Sequence, residues 1–208
     1  MTDATDGSAS GLVADLESFL ARPEVRRRLV HVGGAVLPLA YVVDVVTWSQ
    51  IRLIYVAGLV VAVVLEFVRL VLGVEWWLFD ELARDYERAN VAGYALYVVG
   101  STVAVLVFEP RIAVPALLML AVVDPVSGLL ADNEFREPKR PTVLAVAFAL
   151  SGLIASPFVP LPSALLGAAA TTLADGMTPV VRGHAIDDNL TIPIGAAVAM
   201  WLGLQIPL

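Results

Sequence analysis

The sequence predicts an all-α, polytopic membrane protein of about seven transmembrane helices, and three observations carry that prediction. Hydrophobic residues make up 59% of the 208-residue chain, charged residues only 16%, and apolar runs recur between proline, glycine and charged breaks. A globular chain carries about 25% charged residues, so this one has too few to cover a water-facing surface. The mean hydropathy of +0.82 says the same. A helix needs about 20 apolar residues to cross a hydrocarbon core about 30 Å thick, which leaves room for one transmembrane domain, residues 22–208. Residues 1–21 form a tail, disordered or amphipathic. Its start, MTDATDGSAS, lacks the basic residues and apolar core of a secretory signal.

Taken in order, the spans run from about Leu29 to Val46, Ile51 to Leu72, Val91 to Phe108, Ile112 to Ala131, Thr142 to Val159, Ser163 to Val181 and Leu190 to Leu208. The segment DELARDYER, residues 80–88, alternates charge at helical spacing and reads as a solvated helix between spans two and three. The sixth span contains Gly176 and Pro179, which make it a candidate for a broken helix. Its Gly167, Ala170, Thr171 and Ala174 form a small-residue face, suited either to close helix packing or to a substrate groove. Such faces permit packing within or between chains and leave the oligomeric state open.

Placing the N-terminus in the cytoplasm puts Arg22, Arg26, Arg27, Arg28, Arg69, Arg84, Arg88, Arg136, Lys139, Arg140 and Arg182 inside, with only Arg52 and Arg111 outside. That asymmetry is the positive-inside pattern of a cell-membrane protein. The net charge of −7 fits either a high-salt habitat or a generically acidic surface, and it offers nothing to nucleic acid. With no cysteine there is no disulfide, thiolate metal site or thiol nucleophile, and His31 and His184 alone do not make a zinc site.

The polar residues inside the apolar runs fall at one face in this topology. Ionised groups near hydrocarbon cost several kcal/mol unless they meet a cavity, a cation or a partner. His31 opens span one, Glu66 and Arg69 close span two, Asp124 lies in the inner half of span four, Asp175 comes late in span six, and Asp187-Asp188-Asn189 precedes span seven. Glu66 and Arg69 either neutralise each other, three apart on one helix, or support chemistry. Pro125 interrupts the backbone ladder beside Asp124 and frees carbonyls for an ion or water. Mg²⁺ takes one or two carboxylates plus waters and substrate phosphates, so Asp124, Asp187, Asp188 and Asn189 are its candidate ligands. One of Asp187, Asp188 and Asn189 can instead be a helix N-cap. Asp124, Asp175, Asp188 and His31 are the candidate catalytic groups, while Arg27, Arg28, Lys139 and Arg140 are the candidate phosphate contacts.

From Arg26 to Ala197 the pattern resembles the dolichol kinase and CTP-dependent diacylglycerol kinase family, which includes phytol kinases, in a divergent, haloarchaeal-type form. The resemblance rests on Arg27-Arg28 with His31, on Glu66 and Arg69 as Glu-x-x-Arg, and on Asn90-Val91-Ala92-Gly93 leading through Gly100. It continues through Asp124-Pro125-Val126-Ser127-Gly128, Lys139, and Asp187-Asp188-Asn189-Leu190-Thr191-Ile192-Pro193. Val123 stands where the family has a glycine, and Asp175 where it has a glutamate. The resemblance implies Mg²⁺-dependent transfer of the terminal phosphoryl group of CTP to a polyprenol or other lipid alcohol at the cytoplasmic face. The same groups could serve a cytidylyltransferase acting on a lipid phosphate, and the missing glycines leave open a non-catalytic lipid-binding or transport relative.

Overall fold

A tight turn divides the first expected span. The structure, a computed structural model, describes residues 23–83, 87–131, 138–177, 180–181, 184–185 and 187–206. Helix α1 (Pro23–Gly33) gives way to α2 (Val36–Val42) through short bonds from Gly34 N to His31 O and from Ala35 N to Val32 O, both 2.9 Å. Gly34 is what this turn requires, because a Cβ there would run into the Tyr97 hydroxyl, whereas Gly33 faces open space. After α2 the chain turns at Asp44, whose φ of 57° is left-handed.

Helix α3 (Trp48–Leu70) starts ahead of the expected Ile51 because Thr47 and Gln50 form a capping box. Gln50 N donates to Thr47 Oγ1 at 3.3 Å and Thr47 N to Gln50 Oε1 at 2.8 Å, satisfying two amides that the helix leaves unpaired. Short α4 (Trp77–Leu82) starts ahead of the expected charged helix and takes in its residues 80–82, while residues 84–86 fall outside the described residues. Then come α5 (Gly93–Val107) and one continuous rod, Pro110–Leu130. That rod comprises α6 (Pro110–Leu118), a π-helical segment (Met119–Val123) and α7 (Asp124–Leu130).

Helices α8 (Pro141–Ala155), α9 (Leu161–Gly176) and α10 (Asp188–Gly203) complete the bundle. The expected sixth span is a continuous helix, but it ends at Gly176. Its predicted tail belongs to a small antiparallel hairpin, β1 (Val180–Val181) with β2 (His184–Ala185), in which Val180 faces Ala185 and Val181 faces His184.

The Pro110–Leu130 rod lies at the centre. Ile112, Ala116, Met119, Leu120 and Val123 from it join Ala147 and Ala155 of α8, Ala164 of α9, and Ile192, Ala196 and Met200 of α10 in the main core. The small-residue face of α9 packs against α10. A Cβ on Gly167 would lie 2.6 Å from Met200 Cγ, and one on Gly203 would lie 2.5 Å from Ser163 Cα. Among the described residues, two helices, Trp48–Leu70 and Pro110–Leu130, are long and apolar enough to cross a membrane. Helices α5, α8, α9 and α10 have 15 or 16 residues, about 22 to 24 Å at 1.5 Å per residue. Seven full-length spans are thus not shown among the described residues.

Candidate functional site

Pro125 sets the local geometry of the central helix. It has no N–H, and its ring needs room where the carbonyl of Ala121 would sit in a regular helix. The widened turn of Met119–Val123 immediately before Asp124 supplies that room. Wide turns of this kind change which face a side chain occupies, and they concentrate at functional sites. Asp124 here meets carboxylates from two other helices.

Asp175 comes from the last turn of α9, and Asp188 is the first residue of α10. One oxygen each from Asp124, Asp175 and Asp188 lie within 4.8 Å of one another. The Asp175 side chain is fully buried, and its Oδ2 has no hydrogen-bond partner among the described residues. Like charges this close repel, so a cation or protons must compensate them. A hard cation suits an all-oxygen donor set that keeps positions for water and phosphate, and the orphaned buried oxygen is what such a ligand would satisfy. The residues present fit Mg²⁺.

Two groups brace the cluster. His31 Nδ1 lies 2.9 Å from Asp124 Oδ2, and the His31 ring is held edge-on to Tyr97 with centroids 4.6 Å apart. Lys139 Nζ donates to Asp175 Oδ1 at 2.7 Å and to Ser127 Oγ at 2.8 Å. Ser127 Oγ is also 2.8 Å from Asp175 Oδ1 and 3.0 Å from the Asp124 carbonyl.

The Asp187-Asp188-Asn189 run divides its labour. Asp187 is the N-cap of α10: its Oδ1 accepts Asn189 N at 2.9 Å and Asn189 Nδ2 at 2.7 Å. Asp187 and Asn189, both expected as metal ligands, are thus tied to each other through the cap, and Asp175 completes the carboxylate cluster with Asp124 and Asp188. An N-cap side chain must turn back toward the first amides of its helix, which leaves the next residue facing the neighbouring helices.

Glu66 and Arg69 form a clamp that is not part of the three-carboxylate cluster. Arg69 donates to Glu66 at 2.7 and 3.0 Å, to Asn90 O at 2.6 Å and to Glu87 O at 3.1 Å, while Glu66 Oε2 accepts Ala92 N at 3.2 Å. The pair therefore fixes residues 87–92, the entry to α5. There, a Cβ on Gly93 would lie 3.1 Å from Asn189 Nδ2. Farther along α5, Gly100 faces the part of α10 where Pro193 removes the amide that Asn189 O would accept. A Cβ on Gly100 would lie 2.9 Å from that carbonyl oxygen.

Of the expected phosphate contacts, Lys139 reaches the cluster. Arg28 lies across Gly128, where an added Cβ would be 3.4 Å from its Nη2. Arg140 is exposed at the N-cap of α8, and the Arg27 side chain lies outside the described residues. Ser127 and Tyr97 were not singled out from sequence. Ser127 had one usable signal, its position three residues after Asp124 on the same helical face. Comparison of the chain with protein-family models, curated proteins and solved structures gives no match.

Proposed function

We propose that this chain is a membrane lipid kinase that transfers the terminal phosphoryl group of CTP to a polyprenol-type alcohol at the cytoplasmic face. The observation that carries the reading is the convergence of Asp124, Asp175 and Asp188, from three helices, beside Lys139. The rods α1–α2, α3, α5, Pro110–Leu130, α8, α9 and α10 follow the seven apolar runs in order. Broad apolar exposure supports their place in a bilayer: Leu53, Val60, Val63 and Leu153 are each more than half exposed. Trp48 opens α3 and Trp201 comes late in α10, whereas Trp76 and Trp77 follow the other end of α3. Tryptophans at both ends suit the two headgroup zones. The side assignment rests on the eleven cations that the topology places inside.

Mg²⁺ bound at the carboxylates would neutralise phosphate charge as it builds in transfer, the main requirement of this chemistry. The chain's own part is positioning. Asp124 and Asp188 would hold the cation, His31 fixes the Asp124 carboxylate, and Arg28, beside Gly128 on α7, is a candidate for nucleotide phosphate. In transfer the alcohol oxygen forms a bond to the terminal phosphorus, the bond to the CDP oxygen breaks, and the hydroxyl proton passes to a carboxylate of the cluster. No covalent enzyme intermediate is required.

The test uses purified protein in detergent with Mg²⁺, labelled CTP or ATP, and a panel of polyprenols, geranylgeraniol and diradyl glycerols. Phosphorylated alcohol with CDP is expected. Pyrophosphate in place of CDP would mark a cytidylyltransferase, and lipid binding without turnover a non-catalytic protein. Asp124→Ala and Asp188→Ala should each lower turnover about 10²-fold or more while the protein still folds; full activity in both variants would refute the site.

A further inference from the structure

We infer that Lys139 is a resident counter-cation of the carboxylate cluster and restricts it to a single divalent ion. This rests on the proposed metal-dependent reading and goes beyond it, because the sequence suggests that Lys139 contacts nucleotide phosphate. Lys139 is fixed at three points. Its backbone N donates to Gly176 O at 3.3 Å, and its ammonium donates to Asp175 Oδ1 at 2.7 Å and to Ser127 Oγ at 2.8 Å. The ammonium-bearing side chain is only 13% exposed, and its partner Asp175 is 0% exposed. A lysine anchored by its own backbone to the residue after its carboxylate partner belongs to the framework of the site and is not a mobile arm reaching for substrate.

The consequence is a matter of charge. Three converging carboxylates contribute −3 and the bonded ammonium +1, leaving −2. One divalent cation balances that, whereas a second would bring uncompensated positive charge into a site closed on several sides. Lys139 also occupies one oxygen of Asp175 and leaves Oδ2 without a partner among the described residues, an opening for one further ligand bond. Around this count, Asp187 is turned into the α10 cap, Arg28 lies over Gly128, and His31 Nδ1 meets Asp124 Oδ2 at 2.9 Å.

The experiment measures Mn²⁺ binding to the full chain in detergent by the loss of free-ion EPR signal, with Tb³⁺ as competitor and no nucleotide present. One Mn²⁺ per wild-type chain is expected. Lys139→Gln, which leaves the site at −3, should raise the ratio of Tb³⁺ to Mn²⁺ affinity by about tenfold or more, and Lys139→Arg should leave the ratio as in wild type. Two Mn²⁺ per wild-type chain, or an unchanged ratio in Lys139→Gln, would overturn the inference. The wild-type stoichiometry needs no variant, so a Lys139→Gln protein that fails to fold does not protect it. One bound Mn²⁺ without lipid phosphorylation would remove the kinase reading and leave the inference standing. Phosphorylation with two bound Mn²⁺ would do the reverse, and no Mn²⁺ binding at all would remove both the inference and the metal site.

Discussion

Helix α3 and the Pro110–Leu130 rod are nearly matched in length, 23 and 21 residues, and both are apolar enough to cross a membrane, yet over an 18-residue apolar stretch of each, 22% of the residues are buried in the first against 72% in the second. Helix α3 buries the stripe Ile51, Tyr55, Ala62 and Glu66 and exposes most of the rest. The central rod is enclosed along its middle, with every residue from Ile112 to Ala121 buried. Both carry an acid within apolar surroundings, and each acid is held differently. Glu66 is paired by Arg69 on its own helix and serves as a bracket. Asp124 meets His31 and two carboxylates from other helices, an arrangement that only an enclosed helix can collect. Equal hydropathy measures equal preference for leaving water, and it says nothing about whether lipid or protein receives the helix.

Five substitutions test that contrast. The largest effect should come from Arg69→Met, which strands Glu66 as an unpaired buried charge and should cost about 3–5 kcal/mol in mixed-detergent unfolding. The double variant with Glu66→Gln should recover much of this, and additive losses would show that the pair is not a unit. Leu117→Ala, in the enclosed rod at 1% exposure, should cost about 2–5 kcal/mol. Val60→Asp, on the outward face of α3, should reduce membrane insertion by about 2.5–3.5 kcal/mol, measured as the fraction of chains inserted; normal insertion would mean that this face does not meet lipid. Leu53→Ala, 68% exposed on α3, should change stability by less than about 0.5 kcal/mol. A Leu53 effect as large as that at Leu117 would erase the contrast.

Legibility differed by element. Asp124, Asp175 and Asp188 could be singled out because carboxylates in apolar runs are expensive, and the Pro125 break beside Asp124 was visible as well. The Asp187 cap was open as one of three possibilities, since any of Asp187, Asp188 and Asn189 can accept the first amides of a helix. The Thr47–Gln50 capping box was present in the letters but overshadowed by the apolar run that begins at Ile51. Ser127 gave only a weak signal, and the loop carbonyls that Arg69 grips gave none, because backbone groups have no signature in sequence.

The sequence by itself determined the helical class, the apolar character of the rods, their order, and the scarce charges that had to be compensated. These follow from local periodicity and from the cost of moving polar groups out of water. Tertiary structure decided which rod is enclosed, where the helices stop, that Asp187 caps while Asp188 joins Asp124 and Asp175, and that Lys139 sits on Asp175. Those outcomes depend on which distant helices meet, and charge compensation is satisfied equally well in sequence by any partner that packing can bring within reach.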